Sequence, residues 1–171
     1  MKRTIVAALA AGLFLSAGGF ALVAQAQPPA AADALTDPSL KSAEVIAFIG
    51  VKPGDRVADM VAGRFVRAFS VAVGPKGKVY AEMPDEIIKA HPEVVGLLKT
   101  TAADPKYANV EVLTGPVDKP GLPAKLDAVF IRQNYHDLHV RFMGPADVSA
   151  FNRKVFAALS VALISSGYSP I

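Results

Sequence analysis

Two carboxylates and one polar cluster hold most of the chemistry available to this chain. Asp59 lies near the end of the mostly apolar run Arg56 to Val61, and Glu82 comes just after the run Lys78 to Ala81. Their separation is about the 20 residues at which a carboxylate meets a ribose in nucleotide-binding strand–helix–strand units. A carboxylate so placed accepts hydrogen bonds from both ribose hydroxyls; the alternative is that each acid merely ends a strand. The cluster is Gln133-Asn134-Tyr135-His136-Asp137-Leu138-His139. Its histidines offer a side chain suited to proton transfer near neutral pH, or else one that only fixes a turn. With no third histidine or cysteine in sequence reach, His136, Asp137 and His139 are a poor ligand set, and no metal is expected.

The elements that must position these groups follow from turn chemistry and periodicity. Lys52-Pro53-Gly54-Asp55 opens the first apolar run, and Gly74-Pro75-Lys76-Gly77 opens the second, so both read as strands. Between them Phe65, Ala68, Phe69 and Ala72 recur at helical spacing, widened by Val66 and Val73. Val51 to Pro84 is therefore a βαβ unit, which implies a parallel sheet covered by helices. Upstream, Leu40 to Ile49 reads as a helix with Leu40, Ala43, Ile46, Ala47 and Phe48 on its apolar side, Asp37 or Ser39 as N-cap and Gly50 as stop. Downstream, a helical pattern from Pro84 or Asp85 to Leu98 is interrupted by Pro92, which predicts a kink or two shorter helices. Asn109 to Leu113 alternates as a third strand, and Asp127 to Arg132 reads as a fully buried one. Ligands of open parallel sheets bind at the carboxyl ends of the strands, so the cluster after Arg132 should face the same crevice as Asp59 and Glu82. Ala146 to Leu159 reads as an amphipathic helix, and Val161 to Ile164 as the start of another strand. Phe65, Phe69, Phe151 and Phe156 are expected in the core.

Residues 1–26 read as a secretory signal peptide: Lys2-Arg3, an apolar run from Ile5 to Val23, and the small-x-small site Ala24-Gln25-Ala26. The expectation is an exported, periplasmic protein cleaved near Ala26, without a stable membrane anchor thereafter. The signal carries two of the 18 Lys and Arg and none of the 15 Asp and Glu, so what remains is nearly neutral. No basic stripe interleaved with aromatics appears, which argues against nucleic acid as a partner. The absence of cysteine excludes disulfides, thiolate metal sites and thiol chemistry, leaving stability to a packed core. Residues 27–38 are a Pro/Ala-rich leader expected to be mobile, and residues 39–171 fit one domain.

Taken in order, the helix, Gly50-Val51-Lys52-Pro53-Gly54, the strand reaching Asp59, the loop to Gly63, the second strand with its acidic end and the Asn-Tyr-His-Asp cluster resemble the class I S-adenosylmethionine-dependent methyltransferases. The more particular likeness is to a group of predicted, often exported bacterial methyltransferases. It spans most of residues 40–159, with Gln133 to His139 and Phe142-Met143-Gly144-Pro145-Ala146-Asp147 as its most specific phrases. The resemblance implies a Rossmann-like α/β fold with an open, mainly parallel sheet flanked by helices, and S-adenosyl-L-methionine as cofactor. Asp59 and Gly63 would lie under its amino-acid moiety and Glu82 on its ribose, with Asn134 also on the cofactor side. His136 and Asp137 would serve methyl transfer to a small-molecule acceptor that the sequence does not identify.

The chain departs from the family pattern in two places. The loop Asp59-Met60-Val61-Ala62-Gly63-Arg64-Phe65 has one glycine and is shortened, which sets Arg64 toward the cofactor's space. The family's Lys-Pro-Gly-Gly turn and later strands do not follow Leu159, so the sheet is expected to be incomplete at its C-terminal side. A non-catalytic exported protein on a degenerate methyltransferase scaffold is the alternative function. A nicotinamide-dependent oxidoreductase would need G-x-G-x-x-G after the first strand, and that is absent.

Overall fold

The computed structural model describes residues 32–144 and 146–159. The signal segment and the candidate strand Val161 to Ile164 lie outside the described residues. Four parallel strands form the sheet: β1 (Arg56–Met60), β2 (Lys78–Pro84), β3 (Val110–Gly115) and β4 (Ala128–Ile131), in the order β3-β2-β1-β4. Parallel neighbours cannot be joined by tight turns, so helices carry the chain across. Helix α1 (Ser42–Ile49) precedes β1, α2 (Val66–Val73) links β1 to β2, and α3 (Asp85–Ala90) with α4 (Pro92–Ala103) links β2 to β3. After β4 come two short 3-10 turns, Tyr135–His139 and Arg141–Met143, and helix α5 (Val148–Ala158). The strand order reverses at β1, with β2 on one side and β4 on the other, which makes its carboxyl end the switch point of the sheet.

The βαβ unit forms as its sequence predicts, and its packing fixes the frame. Val57, Ala58 and Met60 of β1 and Val79 to Pro84 of β2 are buried, as are Phe65, Val66, Ala68, Phe69 and Val73 of the crossover. Phe65, Phe69 and Phe130 meet with ring centroids 5.1 to 5.8 Å apart, pinning α2 onto β4 as well as β1. Asn109, just before β3, donates to the carbonyls of Ser70 (3.0 Å) and Gly74 (2.9 Å), capping the end of α2. Gly77 has no substitute there. A Cβ would stand 2.5 Å from Val73 Cβ and 2.7 Å from the Asp55 carbonyl oxygen.

Several boundaries and burials differ from the sequence reading. β2 runs on to Pro84, so Glu82 lies within the strand and not beyond it. Pro92 divides the expected long helix in two, and it sits at the first turn of α4, where its missing N–H costs nothing. Leu40 belongs to a separate 3-10 turn capped by Asp37, after which Lys41 takes a left-handed conformation before α1 begins. The face of α1 that packs is Val45, Ile46 and Ile49; Ala43 and Ala47 are exposed, and Phe48 is 92% exposed. β4 is only partly buried along its length, because it is the edge strand of the described sheet. Phe156 is 66% exposed, correcting its assignment to the core. Phe151 and Ala158 are buried with Val155 packed between them, a stripe that leaves position 156 on the outer face.

The leader is packed where it is described. Asp33 and Ala34 are buried, Ala34 N–H donates to the Arg64 carbonyl at 2.8 Å, and Arg67 pairs with Asp33 while its guanidinium lies over the Tyr107 ring.

Candidate functional site

The sheet brings the candidate residues to one edge. Met60, the last residue of β1, stands in register with Glu82 on one side and Ile131 on the other. The cluster from Gln133 starts two residues beyond Ile131, so Asp59, Glu82 and the Asn134–Asp137 turn all lie at the carboxyl ends of neighbouring strands. Among the described residues no hydrogen bond or ion pair joins the two acids to the turn. The site therefore has two halves, one on each side of β1.

The acidic half is buried. Asp59 is 3% exposed and its Oδ2 accepts from the Gly63 N–H at 3.4 Å. Burial raises its carboxyl to about 7, opposed by that hydrogen bond. Glu82 is 1% exposed; its Oε2 accepts from the Val61 N–H at 3.5 Å, and among the described residues its Oε1 has no partner. Burial again acts first, raising the carboxyl to about 8. The Val61 hydrogen bond lowers it, and the charges of Glu86, Asp85 and Asp59 raise it. Both hydrogen bonds are long, and such acceptors are under-satisfied.

The loop between the two acids continues the ladder for one step, with Ala62 N–H donating to the Glu82 carbonyl at 2.8 Å. Val61 is left-handed at φ 50, a conformation costly for a β-branched residue. Gly63 is not left-handed and a Cβ there would meet nothing within 4 Å, so open space lies beside it. Arg64 is turned toward the leader: Nε donates to the Ala32 carbonyl at 2.8 Å, and a terminal nitrogen pairs with Asp37 at 2.6 Å. Neither cavity described below is lined by Asp59, Gly63 or Glu82, and Glu82 Oε1 is a sealed acceptor that a hydroxyl donor would satisfy.

The second half is a self-bonded turn. Gln133 is left-handed at φ 61, and Asn134 Nδ2 donates to Asp137 Oδ2 at 3.0 Å. His136 Nε2 stands 3.1 Å from Asp137 Oδ1, with its side chain 75% exposed. Asp137 thus orients an imidazole that faces solvent. Tyr135 packs edge-on against Phe151 and bonds Asn152, and Leu138 is buried. Tyr135 is itself exposed, and the His139 ring meets it edge-on with centroids 6.2 Å apart.

Sequence reasoning missed Arg141 and the cavity it lines. That cavity, of about 280 Å³, is bounded by Leu138, His139, Val140, Arg141, Ala146 and Val148. A single arginine between apolar residues carries no spacing signal, so nothing in the sequence marked it. A larger cavity of about 520 Å³ opens at the opposite, amino-terminal ends of the strands, around Gly74, Lys78, Lys106 and Asn109.

No family model matches the sequence, and no curated protein matches it. Solved structures do resemble it. An S-adenosylmethionine-dependent methyltransferase from Aquifex aeolicus is 28% identical with a TM-score of 0.53, over 74% of this chain and 64% of its own. The YcgJ protein from Bacillus subtilis is 18% identical with a TM-score of 0.50, over 71% of this chain and 47% of its own. An S-adenosylmethionine-dependent O-methyltransferase from Thermotoga maritima is 22% identical with a TM-score of 0.49, over 70% of this chain and 40% of its own. This chain spans less than two thirds of the length of each. The structures it resembles include S-adenosylmethionine-dependent methyltransferases, and its four-stranded parallel sheet flanked by helices has the Rossmann-like α/β fold they share.

Proposed function

We propose that this chain binds S-adenosyl-L-methionine at the carboxyl ends of β1 and β2 and transfers its methyl group to a small-molecule acceptor. The observation that carries the reading is Glu82: a buried carboxyl group in the carboxyl-terminal half of the second strand of a methyltransferase-type sheet, with one oxygen lacking any partner among the described residues. A buried acceptor without a donor costs about 1–3 kcal/mol, and a ribose diol removes that cost.

The residues present fit the cofactor in kind. Glu82 would accept from the ribose hydroxyls, and the Asp59–Gly63 loop would hold the amino-acid end. Asn134 would close the other side of the crevice. Once bound, the cofactor supplies a sulfonium methyl that needs alignment more than acid catalysis. His136 would take a proton from the acceptor nucleophile, and Asp137 would hold the imidazole ring and stabilise its charged form.

Calorimetric titration of the folded chain with S-adenosylhomocysteine tests the proposal. We expect one site, weakened about 10-fold or more by Glu82→Gln, the loss of charge-assisted hydrogen bonds. Strained Val61 and a loop with one glycine favour a second reading, a non-catalytic protein on a degenerate scaffold. Absence of binding to well-folded protein selects that second reading and rejects the first.

We also infer export to the periplasm, and membership of the exported bacterial group, from the charged and apolar start and the Ala24-Gln25-Ala26 site. N-terminal sequencing of protein recovered from the periplasm should begin near Gln27. Retention of the intact N-terminus would overturn it.

A further inference from the structure

The cavity beside the His136 turn has a chemistry that the methyl-transfer reading leaves unspecified. Four of its walls, Leu138, Val140, Ala146 and Val148, are apolar, and the two polar contributors are His139 and Arg141. Among the described residues neither polar side chain makes a hydrogen bond or an ion pair. The neighbouring carboxylates are committed elsewhere. Asp137 is held by Asn134 and His136, and Asp147 caps α5 through the Ala150 N–H at 2.8 Å and lies 4.0 Å from Arg153.

Arg141 is an exposed residue lining a mainly apolar cavity, and without a carboxylate partner among the described residues it presents a planar fork of donors matched to one. The volume of about 280 Å³ lies just below the usual range for small-molecule sites, so it suits no more than one ring or a short chain. His139 follows His136 by three residues in a 3-10 turn, which places both on one side of that turn. A molecule lodged against His139 and Arg141 would lie next to the turn that carries His136, although His136 itself does not line the cavity.

We propose that the methyl acceptor is a small molecule with an apolar body and a single carboxylate, anchored by Arg141 with His139 beside it. The proposal rests on the methyl-transfer reading for the word acceptor, but the anion subsite stands on the cavity alone.

Ligand-observed NMR titration of the full chain with benzoate and with benzyl alcohol tests it, the two probes sharing a ring and differing in charge. Benzoate should bind at least about 10-fold more tightly than benzyl alcohol, as a charge-assisted hydrogen-bond pair warrants. Arg141→Gln should remove that preference, while Arg153→Gln, outside the cavity, should keep it. Arg141→Lys, which keeps the charge and loses the fork, should fall between. Equal affinity for the two probes, or an unchanged preference in a well-folded Arg141→Gln protein, overturns the proposal. If Arg141→Gln fails to fold, the comparison of the two probes on the unmutated chain decides alone. Titration with S-adenosylhomocysteine in the same samples keeps the failures apart. Selective benzoate binding without it retains the subsite and removes the enzyme, whereas its binding without benzoate selectivity does the reverse.

Discussion

Replacing Glu82 by Gln should stabilise the ligand-free protein at pH 8 while weakening the proposed cofactor site. In the fold the Glu82 carboxyl is raised from 4.5 to about 8, first by burial and further by the charges of Glu86, Asp85 and Asp59, with only the Val61 N–H opposing. A raised carboxyl favours its protonated form in the native state. Its contribution to stability is therefore complete below about pH 4.5 and is lost as pH climbs toward 8. At about 1.4 kcal/mol per pH unit across that interval, the loss is about 5 kcal/mol. Gln is the neutral near-isostere of the protonated acid and does not titrate. Urea unfolding of both proteins from pH 5 to pH 8 measures the difference. The midpoints should nearly coincide at pH 5 and separate by about 2 M urea at pH 8, with the variant the more stable. Asp59, raised to about 7 by its own burial, is present in both proteins and enters the comparison only through its coupling to Glu82. A separation that stays constant with pH would refute the reasoning. The same proton must leave before the carboxylate can accept from a ribose. Binding of S-adenosylhomocysteine below pH 8 should then release about one proton, seen as a heat that changes with the ionisation enthalpy of the buffer.

Other consequences of the packing can be measured alongside. Phe69→Ala, which empties a fully buried position between Phe65 and Phe130, should cost about 3–5 kcal/mol in urea unfolding. Gly77→Ala must displace Val73 or the Asp55 carbonyl and should cost about 1–3 kcal/mol, with thermal melting as the check. Arg67→Ala removes the partner of Asp33. Although burial works against the charge on Asp33, Arg67, the Leu35 N–H and Thr36 together hold its carboxyl below the usual range. Faster proteolysis of the leader is expected, read by mass spectrometry, and also in the unmutated chain as pH falls through that carboxyl's titration.

The frame of the site was legible because punctuation and periodicity agreed. Pro53-Gly54 and Gly74-Pro75 bracket runs too short and too apolar for anything but strands, and Phe65, Ala68, Phe69 and Ala72 cannot serve a two-residue repeat. Burial was less legible. Ala128 to Ile131 is apolar enough for a central strand, yet whether a strand has one neighbour or two depends on the whole sheet. Phe156 was misplaced because an aromatic type outweighed its angle on the helix, which the stripe Phe151, Val155 and Ala158 would have given. The two acids were found by spacing, but not the missing partner of Glu82 Oε1, which depends on where backbone N–H groups point. Asp33 was hidden for another reason: in a Pro/Ala-rich stretch, only a distant Arg67 makes an aspartate a buried anchor.

The strand at the switch point acquires its two neighbours at very different chain separations. β1 meets β2 after a single crossover helix, whereas Arg56 N–H reaches Asp127 Oδ2 across a separation of 71 residues. Loop-closure entropy sets β1, α2 and β2 to assemble first and β4 to dock afterward, with fewer contacts to hold it. The half of the site on β4 would then open without the half on β2. Amide exchange at Val129 and Ile131 should run ahead of exchange at Val79 and Ala81, so the chain would part the His136 turn from the β2 side while the two acids stay sealed.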